Sequence, residues 1–278
     1  SNCSTSGCNT YWPITFYMYK GTGSRTASTS YIKYQIRGST GYSTDLNGGT
    51  QTTVGSFTWG TTTRTVAQEA QNFANWFSYY RTRMQAMKSA TSLAFKMIDD
   101  KFKVGYSTIN YTGVSPSDPD FLPVAKFDSS QKGTWYSRLQ GANFTTSTGN
   151  VGTPLQKALD KIGKYYRGDF SPSLVADPIE YYCQRNFTVL TTDGYWNQSF
   201  SFGNYDNDPS DGISTRGTGR FDGGSATNAS STLADVAMYY YKTDLRTGAS
   251  DPKATNNVFT TQDDPANWQH MVTHTLGL

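Results

Sequence analysis

Charged residues are scarce in this chain of 278 residues, and it has no run of Lys and Arg. Only 16% of the residues are charged, and the formal net charge is +3. Because nucleic acids and anionic membranes are bound through clustered basic side chains, neither partner is supported. The chain also lacks an apolar run long enough to span a bilayer, and no signal segment follows Ser1. We therefore expect a processed piece of an exported protein.

Cysteine is also rare, with three copies in the chain. Cys3 and Cys8 are spaced to close a small disulfide loop, and no His or further Cys lies nearby to complete a zinc site. A disulfide is therefore favoured over a metal site, which indicates the periplasm or the cell surface. Cys183 is either a buried thiol or the partner of a cysteine outside this sequence.

Tyrosine, in contrast, is abundant, with 20 copies, and aromatic residues make up 15% of the chain. Tyr and Trp combine a large apolar body with a polar tip, which suits extracellular binding surfaces, although ordinary core packing accounts for most copies. Residues 1–63 are rich in Gly, Ser, Thr and Tyr. Alternating runs at Ile14 to Tyr19 and Tyr31 to Ile36 predict short strands in this β- and loop-rich segment.

A helical pattern begins at Thr65. From there to Asp100 the sequence has no Gly or Pro, and apolar residues recur mostly at steps of three and four. Thr65 followed by Gln68 predicts a capping box at the start of the helix. The length of the pattern predicts either a break near Ser89 to Ser92 or a helix that projects beyond its sheet.

Helices and short apolar strands alternate in the rest of the chain. Thr153, Pro154 and Gln156 predict a helix start, with Thr153 as its cap. Residues 198–230 form a polar insertion or functional loop. The other predicted elements are three strands and a helix: Lys101 to Asn110, Phe187 to Leu190, Met271 to Leu276, and Thr232 to Arg246. This alternation predicts an α/β fold with a mostly parallel sheet covered by helices on both faces.

Asp193 is the position with the clearest chemical potential. It follows the predicted buried strand in the sequence TTDG, and ligands of open α/β sheets bind beyond the carboxyl ends of strands. The loop before Thr153 would lie on the same edge. A carboxylate and a hydroxyl are oxygen ligands for Mg²⁺, Mn²⁺ or Ca²⁺. Each residue also has a simpler interpretation: Thr153 caps its helix, and Asp193 shapes a turn with Gly194.

Five segments closely resemble, in this order, the amino-terminal region of the PilC/PilY family of tip-associated proteins of bacterial type IV pili. They are QEAQNFANWFSYYRTRMQAMKSA, GTPLQKAL, CQRNFTVLTTDGYWN, STLADVAMYYYKTDLR and WQHMVTHTLGL. The resemblance covers about residues 65 to 278. It implies a von Willebrand A-like, Rossmann-type domain that takes part in adhesion, pilus biogenesis, twitching motility, surface sensing and virulence. It also implies minor pilins and a host or surface ligand as partners, and a location from the periplasm and outer membrane to the pilus tip.

The resemblance further implies a metal-ion-dependent adhesion site. Such a site combines a D-x-S-x-S motif with a Thr and an Asp from two other loops, and Thr153 and Asp193 match these last two ligands. No D-x-S-x-S occurs in the chain. Either the motif precedes Ser1, which we favour, or the site is vestigial and holds no metal. In the first case residues 1–63 are an insertion after the first strand, and residues 64–278 form the core.

Two other functions stay open. A secreted carbohydrate-active enzyme would need a pair of carboxylates, but no spacing marks such a pair, and no nucleophile elbow or phosphate loop is present. A structural docking module would instead bind the pilus without metal through Trp76, Tyr79 and Tyr80. His270 and His274 fall where a strand begins and lack a set of partner ligands, so we interpret them as ordinary histidines. The sequence therefore predicts a binding protein and not an enzyme.

Overall fold

The protein has a mixed α/β fold. The computed structural model describes residues 13–142, 152–192, 194, 196–206 and 230–277. The chain divides into two compact units, unit 1 (Ser1–Ala90) and unit 2 (Thr91–Leu278). The predicted division between an insertion, residues 1–63, and a core, residues 64–278, stays a prediction.

Unit 1 contains a four-stranded antiparallel sheet and a separate hairpin. The sheet consists, in spatial order, of β1 (Ile14–Tyr19), β2 (Tyr31–Arg37), β3 (Thr40–Asp45) and β4 (Thr52–Val54). The hairpin pairs β5 (Ser56–Trp59) with β6 (Thr62–Thr65). The two strands predicted in this region are confirmed. Ile36, Phe57 and Val66 are buried together as the small core of this unit.

Two helices follow the hairpin in place of the predicted single helix. They are α1 (Val66–Tyr79) and α2 (Arg83–Phe95), and the capping box of Thr65 and Gln68 starts α1 as predicted. The break lies at residues 80–82, so the expected break near Ser89 to Ser92 is wrong.

A second capping box explains the position of this break. The Gln85 amide donates to Thr82 Oγ1 at 3.2 Å, and the Thr82 amide donates to Gln85 Oε1 at 3.1 Å. The first amides of a helix have no partner within the helix, and these two bonds supply partners for two of them. A second helix, α2, can therefore begin here. Ser89 Oγ donates to the Tyr79 carbonyl at 2.8 Å, which satisfies an acceptor at the end of α1.

Unit 2 alternates strands and helices. Its elements are β7 (Lys103–Ser107), β8 (Phe121–Lys126), α3 (Ser129–Gly141), α4 (Leu155–Arg167), β9 (Asn186–Thr192), α5 (Leu233–Lys242) and β10 (Met271–Gly277). The strands predicted around β7, β9 and β10 and the helices predicted at α4 and α5 are confirmed, although α5 ends at Lys242 and not at Arg246. No helix in the described parts of the chain has the length and apolar character needed to cross a membrane.

The expected mostly parallel sheet is not found in the described residues. Unit 2 has two two-stranded sheets, in which β9 and β10 run parallel while β7 and β8 run antiparallel. The reason lies between β7 and β8, where no helix carries the chain across a sheet face and the Thr108 amide bonds the Asp120 carbonyl at 3.0 Å. A parallel connection needs a crossover, usually a helix. Without one, the chain reverses direction and β8 pairs antiparallel with β7.

The main core of unit 2 lies among α4, α5 and β10. Leu159, Val236, Tyr240 and Met271 are buried together there. Gly163 allows the close approach of the two helices, because a methyl group at this position would overlap the ring of Tyr240. The core therefore fixes α4, the helix that follows Thr153.

Candidate functional site

Thr153 lies just before α4 but does not cap it. The helix begins at Leu155 with Pro154 as its N-cap residue, and no side chain makes a cap bond. The predicted cap is therefore wrong, because the chain turns at Pro154 (φ −82°, ψ 59°) and the Leu155 amide bonds the Thr153 carbonyl instead, at 3.0 Å. The Thr153 hydroxyl is not committed to the helix end.

The structure brings Thr153 to the loop that follows β9. The Thr153 amide donates to Asn197 Oδ1 at 2.6 Å. A methyl group added at Gly152 would lie 2.9 Å from the same oxygen, so the two loops are in close contact. Asn197 is four residues beyond Asp193, which itself lies outside the described residues. The Thr153–Asn197 bond therefore joins the two loops that carry the predicted ligands, Thr153 and Asp193. It does not give the distance between these two residues.

The described residues do not by themselves form a metal site. Among them, no group of three or more His, Cys, Asp and Glu side chains could hold a metal ion. Thr153 supplies a single hydroxyl, and hard divalent cations need several oxygen ligands. The divalent-cation site at Thr153 and Asp193 therefore stays a prediction.

Lys161 lies on α4, about two helical turns after Thr153, and is 5% exposed. Its Nζ donates to Ser107 Oγ at 2.6 Å and to the Tyr111 carbonyl, beyond the end of β7. Burial lowers the pKa of its ammonium to about 8, although Asp120 and Asp118 act in the opposite direction. Lys161 thereby ties α4 to the carboxyl end of β7.

A neighbouring face of α4 contacts β9. Tyr166 Oη donates to the Phe187 carbonyl at 3.1 Å, whereas Tyr165 Oη accepts from the Val124 amide of β8 at 3.2 Å. One helix therefore spans both two-stranded sheets of unit 2. The sequence analysis did not identify Lys161 as a buried residue. A signal was available, because Lys161 lies three residues after Ala158 and four before Tyr165, both buried, and so shares their helix face.

A polar network lies at the amino-terminal end of the parallel pair. Asp264 accepts from Arg185 Nη2 at 3.0 Å and from Tyr241 Oη at 3.1 Å, and His270 Nε2 lies 3.2 Å from its carboxylate. His270 is 1% exposed, and its Nδ1 is 2.7 Å from the Trp268 carbonyl. His274 lies on β10 with its ring stacked against Phe187. Both histidines therefore have ordinary packing and hydrogen-bonding environments.

Of the aromatic residues proposed for docking, Trp76 and Tyr79 lie on the second half of α1, and Tyr80 directly follows its last residue. The exposed fractions are 47% for Trp76, 60% for Tyr79 and 45% for Tyr80. Phe77 is 43% exposed, and the Arg81 guanidinium lies over its ring at 4.0 Å. These side chains are accessible in unit 1, and their role in binding stays a prediction.

The cysteine predictions have mixed outcomes. Cys3 and Cys8 lie outside the described residues, so their disulfide stays a prediction. Cys183 is exposed and unpaired among the described residues. It lies beside two exposed tyrosines, Tyr181 and Tyr182, in the segment before β9, so the expectation of a buried thiol is wrong.

Comparison with known proteins finds curated relatives named type IV pilus biogenesis factor PilY1. The protein of Pseudomonas aeruginosa strain PAK is 32% identical over 238 residues, which cover 76% of this chain and 20% of the relative. The protein of strain PAO1 is 31% identical over 240 residues, with the same two shares. The chain thus spans about a fifth of the length of these relatives. No family model matches the chain, and no solved structure matches it. The similarity to the PilY1 proteins agrees with the motifs quoted above, and this chain belongs to the PilC/PilY family.

Proposed function

We propose that this chain is part of a type IV pilus biogenesis factor that also serves as an adhesin at the pilus tip. The observation that carries the proposal is the match of 76% of the chain to relatives named as pilus biogenesis factors. Its role is to bind minor pilins and a host or surface ligand, and so to support attachment, twitching motility and surface sensing. It acts by binding and not by catalysis.

A test of the biogenesis role uses the full-length protein in cells that assemble type IV pili. Removing the gene should abolish surface pili, and the unchanged protein should restore them. Met271→Asp places a charge at a fully buried position (0% exposed) and should not restore them, whereas Met97→Asp at an 85% exposed position should. Pili are counted by electron microscopy, with protein levels checked by immunoblot. Normal pili in cells without the gene would contradict the proposal.

The finer proposal is that unit 2 is a von Willebrand A-like domain. Among the described strands, β7 and β9 each have one hydrogen-bonded neighbour, so each has an open edge. Both edges belong to pairs that α4 contacts, through Lys161 and Tyr166. One strand between β7 and β9 would join the two pairs into a single sheet. That strand is where the D-x-S-x-S motif of the family's adhesion site belongs.

The adhesion-site proposal requires metal binding by Asp193 and Thr153. Purified protein that includes any upstream D-x-S-x-S should show a higher unfolding midpoint in Mg²⁺, Mn²⁺ or Ca²⁺ than in chelator, because a ligand that binds only the folded state stabilises it. Asp193→Ala and Thr153→Ala should remove the shift. Asp99→Ala, at an Asp whose side chain is 52% exposed, is the control and should keep it. The proposal would be wrong if no metal raised the unfolding midpoint, or if Asp193→Ala kept the full increase. The site would then be vestigial.

The exposed aromatic residues at the carboxyl end of α1, which are Trp76, Tyr79 and Tyr80, favour a second candidate, docking to the pilus without metal. Trp76→Ala and Tyr80→Ala should then weaken attachment equally in chelator and in metal, because large aromatic anchors dominate binding energy. Attachment that persists in both variants would exclude this candidate.

A further inference from the structure

The four-stranded sheet of unit 1 has two faces of different character. One face is packed, since Phe16, Tyr34 and Ile36 contact the cluster around Phe57. Gly41 lies on this face, and a methyl group there would be 2.8 Å from the Phe57 ring. Alternate residues of each strand point to the other side.

The opposite face, called here the tyrosine face, carries aromatic, hydroxyl and basic side chains. By strand register its members are Thr15, Tyr17, Tyr19, Tyr31, Lys33, Gln35, Arg37, Thr40, Tyr42, Thr44 and Thr53. This set contains no Asp or Glu. Asp45 has the opposite register position and is paired with Lys20 at 2.6 Å. The tyrosine face is therefore positively charged.

Basic groups on or beside this face lie close to its rings. The Arg37 guanidinium is 5.0 Å from the Tyr42 ring centre, and Arg25, in the loop after β1, is 5.5 Å from that of Tyr19. Lys33 is directly opposite Tyr17 in the pairing of β1 and β2. Tyr17 is 59% exposed, so an aromatic ring is accessible beside a cationic side chain.

Hydrogen bonds hold the groups of the tyrosine face in place. Gln35 is buried; it donates to Thr15 Oγ1 at 3.2 Å and accepts from Arg37 Nη2 at 2.8 Å. Tyr19 Oη donates to the Gly23 carbonyl at 2.7 Å, and Tyr31 Oη to the Arg25 carbonyl at 2.8 Å. These bonds fix both arginine-bearing segments, so a ligand would lose little entropy in ordering them.

We propose that the tyrosine face binds an acidic polysaccharide. The apolar face of a sugar ring stacks on an exposed aromatic ring such as Tyr17, and sugar hydroxyls pair with threonine side chains. Carboxylates along the polymer meet Lys33, Arg37 and Arg25, and no acidic side chain of the face opposes them. A single-stranded nucleic acid would use the same rings, but the chain has no basic run to follow its backbone. This inference goes beyond the proposed function and needs neither a metal nor a pilus.

The test measures binding of the purified chain to alginate, a polymer of uronic acids, with neutral dextran as the uncharged comparison. Binding to alginate should weaken as salt rises, because the charges are exposed. Tyr17→Ala should weaken it about tenfold. Lys33→Gln and Arg37→Gln should each weaken it several-fold. Circular dichroism checks that the variants keep their fold.

Matched controls separate the tyrosine face from general stickiness. Tyr181→Ala removes an equally exposed tyrosine (62%) in the segment before β9, and Lys157→Gln removes an exposed lysine of α4. Both should leave alginate binding unchanged. The proposal is overturned if dextran or a single-stranded oligonucleotide binds as tightly as alginate. It is also overturned if a control variant weakens binding as much as Tyr17→Ala, or if Tyr17→Ala has no effect.

Discussion

The stability of unit 2 should change with pH in the alkaline range, because the ammonium group of Lys161 is buried. Burial lowers the pKa of Lys161 to about 8 in the folded protein, whereas an unfolded chain keeps this proton up to about pH 10.4. Between these values the unfolded state binds more protons, so the free energy of unfolding should rise with pH, by at most about 3 kcal/mol. Burial raises the pKa values of Tyr106 and Tyr165 to about 12, and their opposite effect begins only above about pH 10.

Denaturant unfolding from about pH 7 to about pH 10 measures this dependence. The Lys161→Gln variant lacks this titrating group, so its free energy of unfolding should rise much less over the same range. A rise of equal size in both proteins would assign it to other groups.

Asp264 should govern the acid side of the stability profile. Burial alone would raise the pKa of this carboxyl group, but His270, Arg185 and Tyr241 together outweigh burial and lower it. A lowered pKa means that the stabilisation is present above the unfolded-state pKa and is lost as the pH falls through the folded-state value. Asp264→Asn should lower stability at neutral pH and reduce the slope of the acid unfolding curve. Asp99→Asn, at an Asp whose side chain is 52% exposed, is the control, and equal slopes in the two variants would contradict this assignment.

At the scale of elements, the packing of α4 on α5 depends on the absence of a side chain at Gly163. Gly163→Ala should destabilise the protein by about 1–3 kcal/mol, because the added methyl group overlaps Tyr240 and forces the helices apart. Gly133→Ala is the matched control, since Gly133 lies within α3 and its Cβ would meet nothing within 4 Å. This control should stabilise by about 0.5–1 kcal/mol, because alanine favours helix more than glycine does. Thermal unfolding of both variants measures these changes in stability. Unchanged stability in Gly163→Ala would contradict the close packing of α4 on α5.

Local patterns of three to four residues predicted several elements correctly. Thr65 and Gln68 predicted the start of α1, and Thr232, with its own capping box to Asp235, predicted the start of α5. Thr82 and Gln85 carry the same signal, but an uninterrupted apolar pattern concealed it. A capping signal inside a long helical pattern competes with helix continuation, and sequence alone does not decide which wins.

Long-range pairing was harder to predict than local structure. Strand β8 is not among the elements predicted from the sequence, and it contains Pro123, which cannot donate to a strand ladder. It is tolerated because β8 has one neighbour among the described strands, and Gln131 Nε2 bonds the carbonyls of Val104 and Pro123 at 2.9 and 2.8 Å. The register bulge between Val104 and Tyr106 lies in the same pair. The direction of β8 depended on these tertiary contacts, which no local window contains.

At the scale of the whole molecule, the cysteines give a test of the compartment. Cys183 is exposed, so it should react with a thiol reagent in the native protein. Cys3 and Cys8 should react only after reduction if they form the predicted disulfide. Mass spectrometry should therefore find one labelled cysteine in the non-reduced protein and all three after reduction. Three labels without reduction would contradict the disulfide and weaken the argument for an oxidising compartment.

The candidate site shows a similar limit of sequence reasoning. Asp193 after a predicted strand and Thr153 at a predicted helix start were brought together as a hypothesis by the family resemblance. The Thr153 bond to Asn197 joins the two loops. The mode of helix initiation at Pro154 could not be predicted, since Thr-Pro-x-Gln equally suits a capped start. The buried position of Lys161 depended on α4 contacting two sheets at once.

The parallel direction of β9 and β10 has a mechanical consequence. Seven register pairs join the two strands, from Met271 and Asn186 to Gly277 and Thr192. A pull along β10 against β9 loads all these backbone bonds at once in shear, so they must rupture together. A hairpin such as β5 and β6, pulled apart at its open end, breaks one bond after another like a zipper. Under tension along its strands, the pair formed by β9 and β10 is therefore the mechanically stiffer element of the two.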